Sequence, residues 1–363
     1  MLPEKEALVT LVIPVYNAGN YLTKCLESIR VQSYPHWETI LVDDCSTDNS
    51  IDICRAFAEK DPRFKVVQMP ENAGAGEARW VGVTQAKGDF VGFVDSDDWL
   101  GRNFLLLLLR LQEETDADIV SCQALHCPKH GRPFVNFPIG LKRAYSPEEA
   151  LILLDAERIL YPVLWDKLYR REIVLSERIQ TQACEDGYAL VEYFKRANKI
   201  AFMGLPLYHY NKAENSLSGS VSRVEHYKFY CHLARTLQRD FGYRSPHIIK
   251  TGMRHVDTAC CFEGNRRLRE YIVARFVELL AAMKDMDACP AERRRLEFIL
   301  KHTAAYVKLE RLNMKWLHKH TYRQRRNAGY DEAAIMLKDI VRKINKTDNL
   351  LDYENFDNHN LFE

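Results

Sequence analysis

The feature that most constrains this chain is a repeated order of apolar strand, polar loop and helical spacing near its start. Short apolar runs occupy 8–13, 39–42, 64–68 and 90–94, and apolar residues at helical spacing follow the first three. Strands that alternate with helices at these lengths favour a mostly parallel sheet with helices on both faces. The expected fold class is therefore α/β, with a Rossmann-like sheet.

Later segments add weaker signals. The spacing predicts strands at 118–122, 199–203 and 207–210, and a helix at 147–154 with Ser146 as its cap. From about residue 221 the pattern becomes entirely helical. We therefore expect a second, all-helical region after the α/β domain.

Polar loops follow three of the early strands, at 14–20, 43–48 and 95–98. In open α/β sheets, ligands bind beyond the carboxyl ends of the strands. We therefore expect these three loops to meet at one cleft.

Three carboxylates, Asp95, Asp97 and Asp98, interrupt the apolar stretch Val91–Leu100. Burying such charges costs free energy unless a cation compensates them. Side chains two apart on an extended chain point the same way, so Asp95 and Asp97 can face one ion while Asp98 turns to a neighbouring group. A magnesium or manganese ion there would neutralise the charge of a leaving diphosphate. The competing interpretation is a charged turn after a strand.

Asp43 and Asp44 also close an apolar strand. One of these carboxylates can accept a hydrogen bond from the imide N–H of uracil, while Ser46, Thr47 and Asp48 cap the next helix. Capping alone explains Thr47 and Asp48 but leaves the preceding carboxylates unexplained. The loop therefore indicates a site that reads a nucleotide base.

Four ordered segments carry a resemblance to a known family: VIPVYN at 12–17, VDDCSTD at 42–48, NAGAGEAR at 72–79 and FVDSDDW at 93–99. In order and spacing they resemble the family 2 inverting glycosyltransferases of the nucleotide-diphospho-sugar type. The resemblance implies the GT-A fold. It also implies transfer of a sugar from a UDP-sugar to a glycan or glycolipid hydroxyl, with inversion, in bacterial surface-polysaccharide synthesis.

The resemblance implies nucleotide-binding roles for several residues. Pro14, Tyr16 and Asp44 would hold the nucleoside. Arg79 stands where the family usually has Ala-Arg-Asn, although Trp80 replaces the Asn, and it is expected to contact the nucleotide.

The resemblance also implies a metal site. Asp95 and Asp97 would contact the ribose or diphosphate, and either Asp97 or Asp98 would be the direct ligand of Mn²⁺ or Mg²⁺. Related enzymes of this fold can use a histidine on a later strand, here His209, as a metal or phosphate contact. The alternative is that His209 is a core residue between two tyrosines.

An inverting transfer needs a general base that takes the proton of the acceptor hydroxyl. The acidic pair Glu185–Asp186, followed by Gly187, is similar to the family pair in which the Asp is that base. Glu185 would position Asp186 or bind the acceptor. The competing interpretation is that the helix macrodipole alone favours two carboxylates at this helix start.

The segment WDKLY at 165–169 is similar to the family's Trp-Asn-Lys-Leu-Tyr, with Asp166 in place of Asn. Trp165 can stack on a sugar ring and Lys167 can meet a phosphate. Both side chains can equally belong to the core, and the sequence leaves the two alternatives open.

Composition restricts the location and the partners. A net charge of +1 argues against a general polyanion-binding protein, so no nucleic-acid partner is expected. The ten cysteines include no Cys-x-x-Cys pair and follow no secretory signal, which predicts reduced thiols in a cytoplasmic protein. The leucine-rich run Phe104–Leu109 is far shorter than the roughly 20 residues of a membrane span and predicts a buried helix.

We expect a catalytic domain at 1–220, a helical domain at 221–346 and an acidic tail at 347–363. Residues 308–326 carry seven basic side chains and one acidic side chain, with apolar residues between them. Such a helix is suited to the anionic surface of the inner membrane, where lipid-linked acceptors lie. A solvated face of a helical bundle, or a partner-binding face, fits the same pattern, and the oligomeric state stays open.

Three other functions fit part of the pattern. A sugar-1-phosphate nucleotidyltransferase has a similar sheet, but its first strand leads into a Gly-rich, Arg-containing loop, which Pro14–Asn17 is not. A phosphatase with Asp43 as nucleophile would make the other matched loops coincidental. A non-catalytic nucleotide-sugar-binding scaffold is the alternative outside enzymes.

Overall fold

The computed structural model describes residues 6–128, 132–136, 140–155, 159–180, 184–212 and 223–243. The chain divides into two compact units, Met1–Phe229 and Tyr230–Glu363. The basic stretch 308–326 and the acidic tail 347–363 lie outside the described residues. The domain boundaries expected from the sequence stay a prediction.

The first part of the chain alternates strands and helices as the sequence predicts. Its elements are β1 (Val9–Val15), α1 (Leu22–Arg30), β2 (Trp37–Asp43), α2 (Ser50–Lys60), β3 (Phe64–Gln68), α3 (Ala75–Gln85) and β4 (Phe90–Phe93).

The later elements are more varied in length and order. They are β5 (Trp99–Leu100), α4 (Phe104–Thr115), β6 (Ile119–Pro128), β7 (Lys142–Tyr145), α5 (Pro147–Asp155), β8 (Lys167–Arg170), α6 (Arg171–Leu175), α7 (Glu185–Arg196), β9 (Ile200–Lys212) and α8 (Arg223–Phe241).

The nine strands of the described residues join one sheet, in the order β3-β2-β1-β4-β8-β6-β9-β5, with β7 beside β9. Strands β1 to β4 pair in parallel, whereas β8 runs antiparallel to both of its neighbours, β4 and β6. Strand β6 therefore runs in the direction of β4, and β9 pairs with β6 in parallel. The carboxyl ends of β1, β2, β4, β6 and β9 consequently lie at the same edge of the sheet.

Helices cover both faces of the sheet at β2. Leu41 packs into the large core with Leu26 of α1 and Cys54 of α2, while Ile40 faces the other side with Ala78 of α3. This alternation is the period of two expected of a strand that is buried on both faces. The α/β fold class is therefore confirmed, with a sheet that becomes mixed beyond β4.

The leucine-rich run forms the first half of α4, whose apolar residues are mostly buried in the core. Burying one leucine side chain contributes roughly 2 kcal/mol, so this helix is a major part of the core. The expectation of a buried helix is correct. Within the part of the chain that the structure describes, no helix has the length and hydrophobicity needed to cross a membrane.

Two details differ from or sharpen the sequence prediction. The two short strands expected at 199–203 and 207–210 are wrong, because β9 is continuous and absorbs the interruption as register shifts against β6 near Gln123. The cap of α5 is confirmed: Ser146 Oγ accepts from the Glu149 N–H (3.2 Å), and Glu149 Oε2 accepts from the Ser146 N–H (2.9 Å).

Candidate active site

The loops after β1 and β2 are fastened to each other. The Asn17 N–H donates to Ser46 Oγ (3.1 Å), and the Thr47 N–H donates to Asn17 Oδ1 (2.8 Å). The Gly19 N–H donates to Asp48 Oδ2 (3.0 Å), and the other oxygen of Asp48 accepts from the first N–H of α2 (3.0 Å). Asp48 therefore supplies an acceptor to the first turn of α2 from the position before its N-cap, Asn49, whereas Ser46 and Thr47 join the two loops.

Three of the four non-glycine residues with positive φ in the described part of the chain lie in loops of the candidate site, and the fourth, Asp116, ends α4. Asn17, Cys45 and Cys184 have left-handed backbone angles, with φ of 48°, 61° and 63°. Such conformations cost of order 1 kcal/mol or more in a non-glycine residue and cluster at functional sites. All three lie in the loops that carry the expected site residues. Tyr16, next to the first of them, is 49% exposed, as a residue that stacks on a ligand can be.

The two carboxylates after β2 face different surroundings. Asp44 accepts the Ala73 N–H and the Gly74 N–H, each at 2.8 Å and each on a different oxygen, so it ties this loop to the segment before α3. Asp43 is fully buried; its Oδ2 accepts from the Ser46 N–H (3.3 Å), and its Oδ1 makes no hydrogen bond within the described residues. Their expected contact with the base stays a prediction.

Arg79 brings together carboxylates from two distant parts of the chain. Its Nη2 donates to Asp95 Oδ1 (2.8 Å), and its Nη1 donates to Glu185 Oε1 (3.0 Å). Nη1 also lies 2.9 Å from Asp186 Oδ1, at ion-pair distance but without hydrogen-bond geometry. Burial acts to lower the pKa of Arg79, but the carboxylates of Asp186, Asp95 and Glu185 outweigh it and raise that pKa. The guanidinium therefore stays charged.

Asp186 lies in the first turn of α7 and its side chain is only 18% exposed. Burial raises its pKa to about 7; Glu185 and Asp95 add to this effect, whereas Arg79 opposes it. A group that titrates near neutral pH can both hold and release a proton, as a general base must. The environment of Asp186 therefore has the chemistry expected of the base.

Asp98 fastens the loop after β4 to strand β9. Its Oδ2 accepts from the Tyr208 hydroxyl (2.7 Å), and its Oδ1 accepts from the Asn211 N–H (2.7 Å). The Tyr208 oxygen also accepts from the Asp95 N–H (3.1 Å). Asp98 is thus a buried structural anchor. No pattern in the sequence assigns a site role to Tyr208 or Asn211, whereas the resemblance points only to the neighbouring His209.

Asp97 has a different role from Asp98 in this loop. Burial and the neighbouring carboxylate of Asp95 raise the pKa of Asp97 to about 6. Asn211 Nδ2 donates to the Asp97 carbonyl (3.1 Å), which fixes the backbone rather than the carboxylate. Negative charge held in such surroundings favours a bound cation.

His209 stacks on Trp99, with ring centroids 5.4 Å apart. Burial, aided by the charge of Lys24, lowers the pKa of His209 to about 4, so the imidazole is neutral at pH 7. No cluster of three or more His, Cys, Asp or Glu side chains suited to a metal occurs among the described residues.

The segment 165–169 packs as core. Trp165 stacks between Tyr208 and Tyr210, with centroid distances of 4.4 and 5.5 Å. Lys167 is fully buried, and its ammonium donates to the Val163 carbonyl (2.8 Å) and to the Asp166 carboxylate. Asp166, where the family has Asn, supplies the counter-charge. The structure therefore favours the core alternative for both Trp165 and Lys167.

Known proteins that are similar to this chain identify its family. A family model described as Glycosyl transferase family 2 matches residues 10–176. Glycosyltransferase GlyG of Streptococcus pneumoniae serotype 4 is 30% identical over 228 residues, which cover 60% of this chain and 74% of that protein. The chain belongs to glycosyltransferase family 2. The resemblance seen in the sequence is thereby confirmed, and the nucleotidyltransferase and phosphatase alternatives are set aside.

Two solved structures share the fold of this family 2 enzyme. Residues 1–349 of S. aureus TarS, in complex with UDP-GlcNAc, align with a TM-score of 0.59 at 21% identity, covering 87% of this chain and 93% of TarS 1–349. The mannosyltransferase PcManGT of Pyrobaculum calidifontis, in complex with GDP-Man and Mn²⁺, aligns with a TM-score of 0.50 at 17% identity, covering 87% and 86%. At these identities the likeness concerns the fold alone.

Proposed function

We propose that this family 2 glycosyltransferase moves a sugar from a UDP-sugar to a hydroxyl of a glycan or lipid-linked glycan, with inversion. The observation that carries the proposal is Asp186, a largely buried carboxylate with a pKa of about 7. Through Arg79 it is linked to Asp95 in the loop after β4. The relatives support a role in assembling a bacterial surface polysaccharide. The chain would act at the cytoplasmic face of the membrane, with 308–326 as its contact.

In this mechanism, Asp186 takes the proton of the acceptor hydroxyl while that oxygen attacks the anomeric carbon. The bond from this carbon to the diphosphate breaks on the opposite side, so the configuration inverts and UDP leaves. Glu185, bonded to the same Arg79 nitrogen, orients the base. The pKa of Asp186 near 7 provides a sizeable carboxylate fraction at neutral pH.

The donor would bind along the loops after β1, β2 and β4. Pro14 and Tyr16 would contact the nucleoside, Asp43 or Asp44 the base, and Asp95 the ribose or diphosphate. The loops after β1 and β2 are bonded to each other and the loop after β4 is bonded to β9, which supports the proposal because a preformed site loses less entropy on binding.

For the metal, we propose Asp97 as the protein ligand of Mn²⁺ or Mg²⁺. Its carboxylate is the hard oxygen donor that these ions prefer, whereas both oxygens of Asp98 are already bonded to strand β9. His209, stacked on Trp99, is a weaker candidate than the sequence suggested. When bound, the ion would offset the charge of the leaving diphosphate.

The test is UDP release from a panel of UDP-sugars with Mn²⁺, with and without glycan acceptors. Asp186→Asn should lower turnover by about 10²- to 10⁴-fold while UDP affinity, measured by calorimetry, stays the same. Asp52→Asn is a matched control, since Asp52 is an exposed acid in the first turn of α2. Full activity of Asp186→Asn would remove the base assignment. Normal UDP binding without turnover of any donor by the unmodified protein would favour the scaffold.

A further inference from the structure

Arg79 joins two parts of the site, one 16 residues and the other 106 residues after it in sequence. One side of the guanidinium holds Asp95, in the loop after β4, at 2.8 Å. The other side holds Glu185 and Asp186, in the first turn of α7, at 3.0 and 2.9 Å. A single planar group thus contacts both the proposed base and the loop after β4, residues 94–98, which is the donor loop.

The position of Arg79 is fixed by the packing of helix α3. A Cβ added at Gly76, one turn before Arg79, would lie 2.4 Å from the Gln180 carbonyl oxygen, so the segment before α7 lies directly on this face of α3. Beside it, Arg178 donates to both oxygens of Glu77, each at 2.7 Å. Because the backbone at Gln180 packs directly against Gly76, the distance between α3, which carries Arg79, and the start of α7 is fixed.

The surroundings of Arg79 do not match a nucleotide contact. Its side chain is only 6% exposed, and both Nη atoms are engaged by carboxylates. Its Nε is buried and makes no hydrogen bond within the described residues. A phosphate or ribose could replace these partners only by separating a buried ion pair, which is costly.

We propose that Arg79 is a positioning residue that sets the proposed base Asp186 relative to Asp95 of the donor loop, and that it does not bind the nucleotide. This inference rests on the proposed function of Asp186. Because Nη1 and Nη2 belong to one rigid plane, a shift of Asp95 turns the plane and moves Nη1 relative to Asp186. A lysine has a single charged point and cannot hold both ends.

Arg79→Lys and Arg79→Ala test the inference with UDP and UDP-sugars in the presence of Mn²⁺. We expect kcat to fall by about 100-fold, as a misplacement of about 1 Å can cause. The donor KM and the calorimetric Kd for UDP should stay within about threefold. Free guanidinium should restore part of the kcat of Arg79→Ala. In Arg79→Ala the acid limb of the pH profile should move to higher pH, because the positive charge beside Asp186 is lost.

Arg178→Ala is the matched control. Arg178 also joins α3 to the segment before α7, but its side chain is 62% exposed and pairs with Glu77 rather than with Asp186. Its kcat should remain within about twofold, since exposed ion pairs contribute little.

A rise of UDP Kd by more than about tenfold in Arg79→Lys, at unchanged kcat, would make Arg79 a nucleotide contact and overturn the inference. An unchanged kcat with an unchanged Kd would overturn it as well. If Arg79→Ala does not fold, Arg79→Lys is used alone, because it retains the charge and the aliphatic stem. Its kcat and its UDP Kd then decide between positioning and nucleotide binding. If the unmodified protein turns over no donor, the proposed function fails, yet the UDP Kd of the variants still separates nucleotide binding from positioning.

Discussion

Two acidic parts of the cleft are held in opposite ways. After β2, both oxygens of Asp44 accept backbone N–H groups, so its charge is met by fixed neutral donors. At the start of α7, Asp186 shares one guanidinium with Glu185, while Asp95 holds its other side. The first arrangement shapes a loop permanently. The second holds a carboxylate whose pKa lies near neutral pH, so that it can accept a proton during a reaction.

The largest expected effect that separates the two parts is pH dependence. Asp186 is surrounded by Arg79, Glu185 and Asp95, and its pKa is raised to about 7. Because the base must be a carboxylate, turnover should fall roughly tenfold per pH unit below that value. Initial rates and UDP calorimetry between pH 6 and 8 test this. A parallel loss of UDP affinity would assign the titration to the donor side instead.

The same shift has a consequence for stability. The folded pKa of Asp186 lies above the ordinary aspartate value of 3.8, so the folded protein binds more protons than the unfolded chain between about 4 and 7. The contribution of this group is therefore fully present at low pH and is lost as the pH rises through about 7. Urea unfolding at several pH values should show this slope in the unmodified protein and a smaller slope in Asp186→Asn.

The next effect concerns the two neighbouring acids of the donor loop. Asp97→Asn should raise the Mn²⁺ concentration for half-maximal activity by about tenfold or more, because it removes the proposed ligand. Asp98→Asn should change that concentration less and lower the melting temperature more, because Asp98 holds Tyr208 and Asn211. The reverse order would make Asp98 the ligand. Manganese titration and thermal unfolding of both variants decide between them.

The smallest effect is expected in the loop after β2, which Asp44 ties to the segment before α3. Asp44→Ala leaves the N–H groups of Ala73 and Gly74 without their acceptor, which should cost about 1–3 kcal/mol of unfolding free energy. UDP affinity should fall with it, whereas kcat at saturating donor should change least. Urea unfolding and UDP calorimetry provide both values. If Asp44→Ala lost kcat but kept its stability, the contrast between a structural Asp44 and a catalytic Asp186 would be wrong.

Much of the fold could be predicted because its signals are local. Strand β3 begins and ends where the apolar run does, at Phe64 and Gln68. The Ser146–Glu149 cap follows from two side chains three residues apart. Strand β9 was misjudged, because the sequence shows an interruption near Gly204, whereas pairing with β6 keeps the strand continuous.

For the site, the sequence by itself determined that the acidic loops after β2 and β4 lie at one edge of the sheet, because loops that follow parallel strands share that edge. Only the tertiary structure decided what each charge does. Asp98 bonds to a strand 110 residues later through Tyr208, and Lys167 pairs inside the core. Arg79 meets a carboxylate pair 106 residues away. The function of a charge depends on its partners and its burial, and both are fixed by contacts between residues that are distant in sequence.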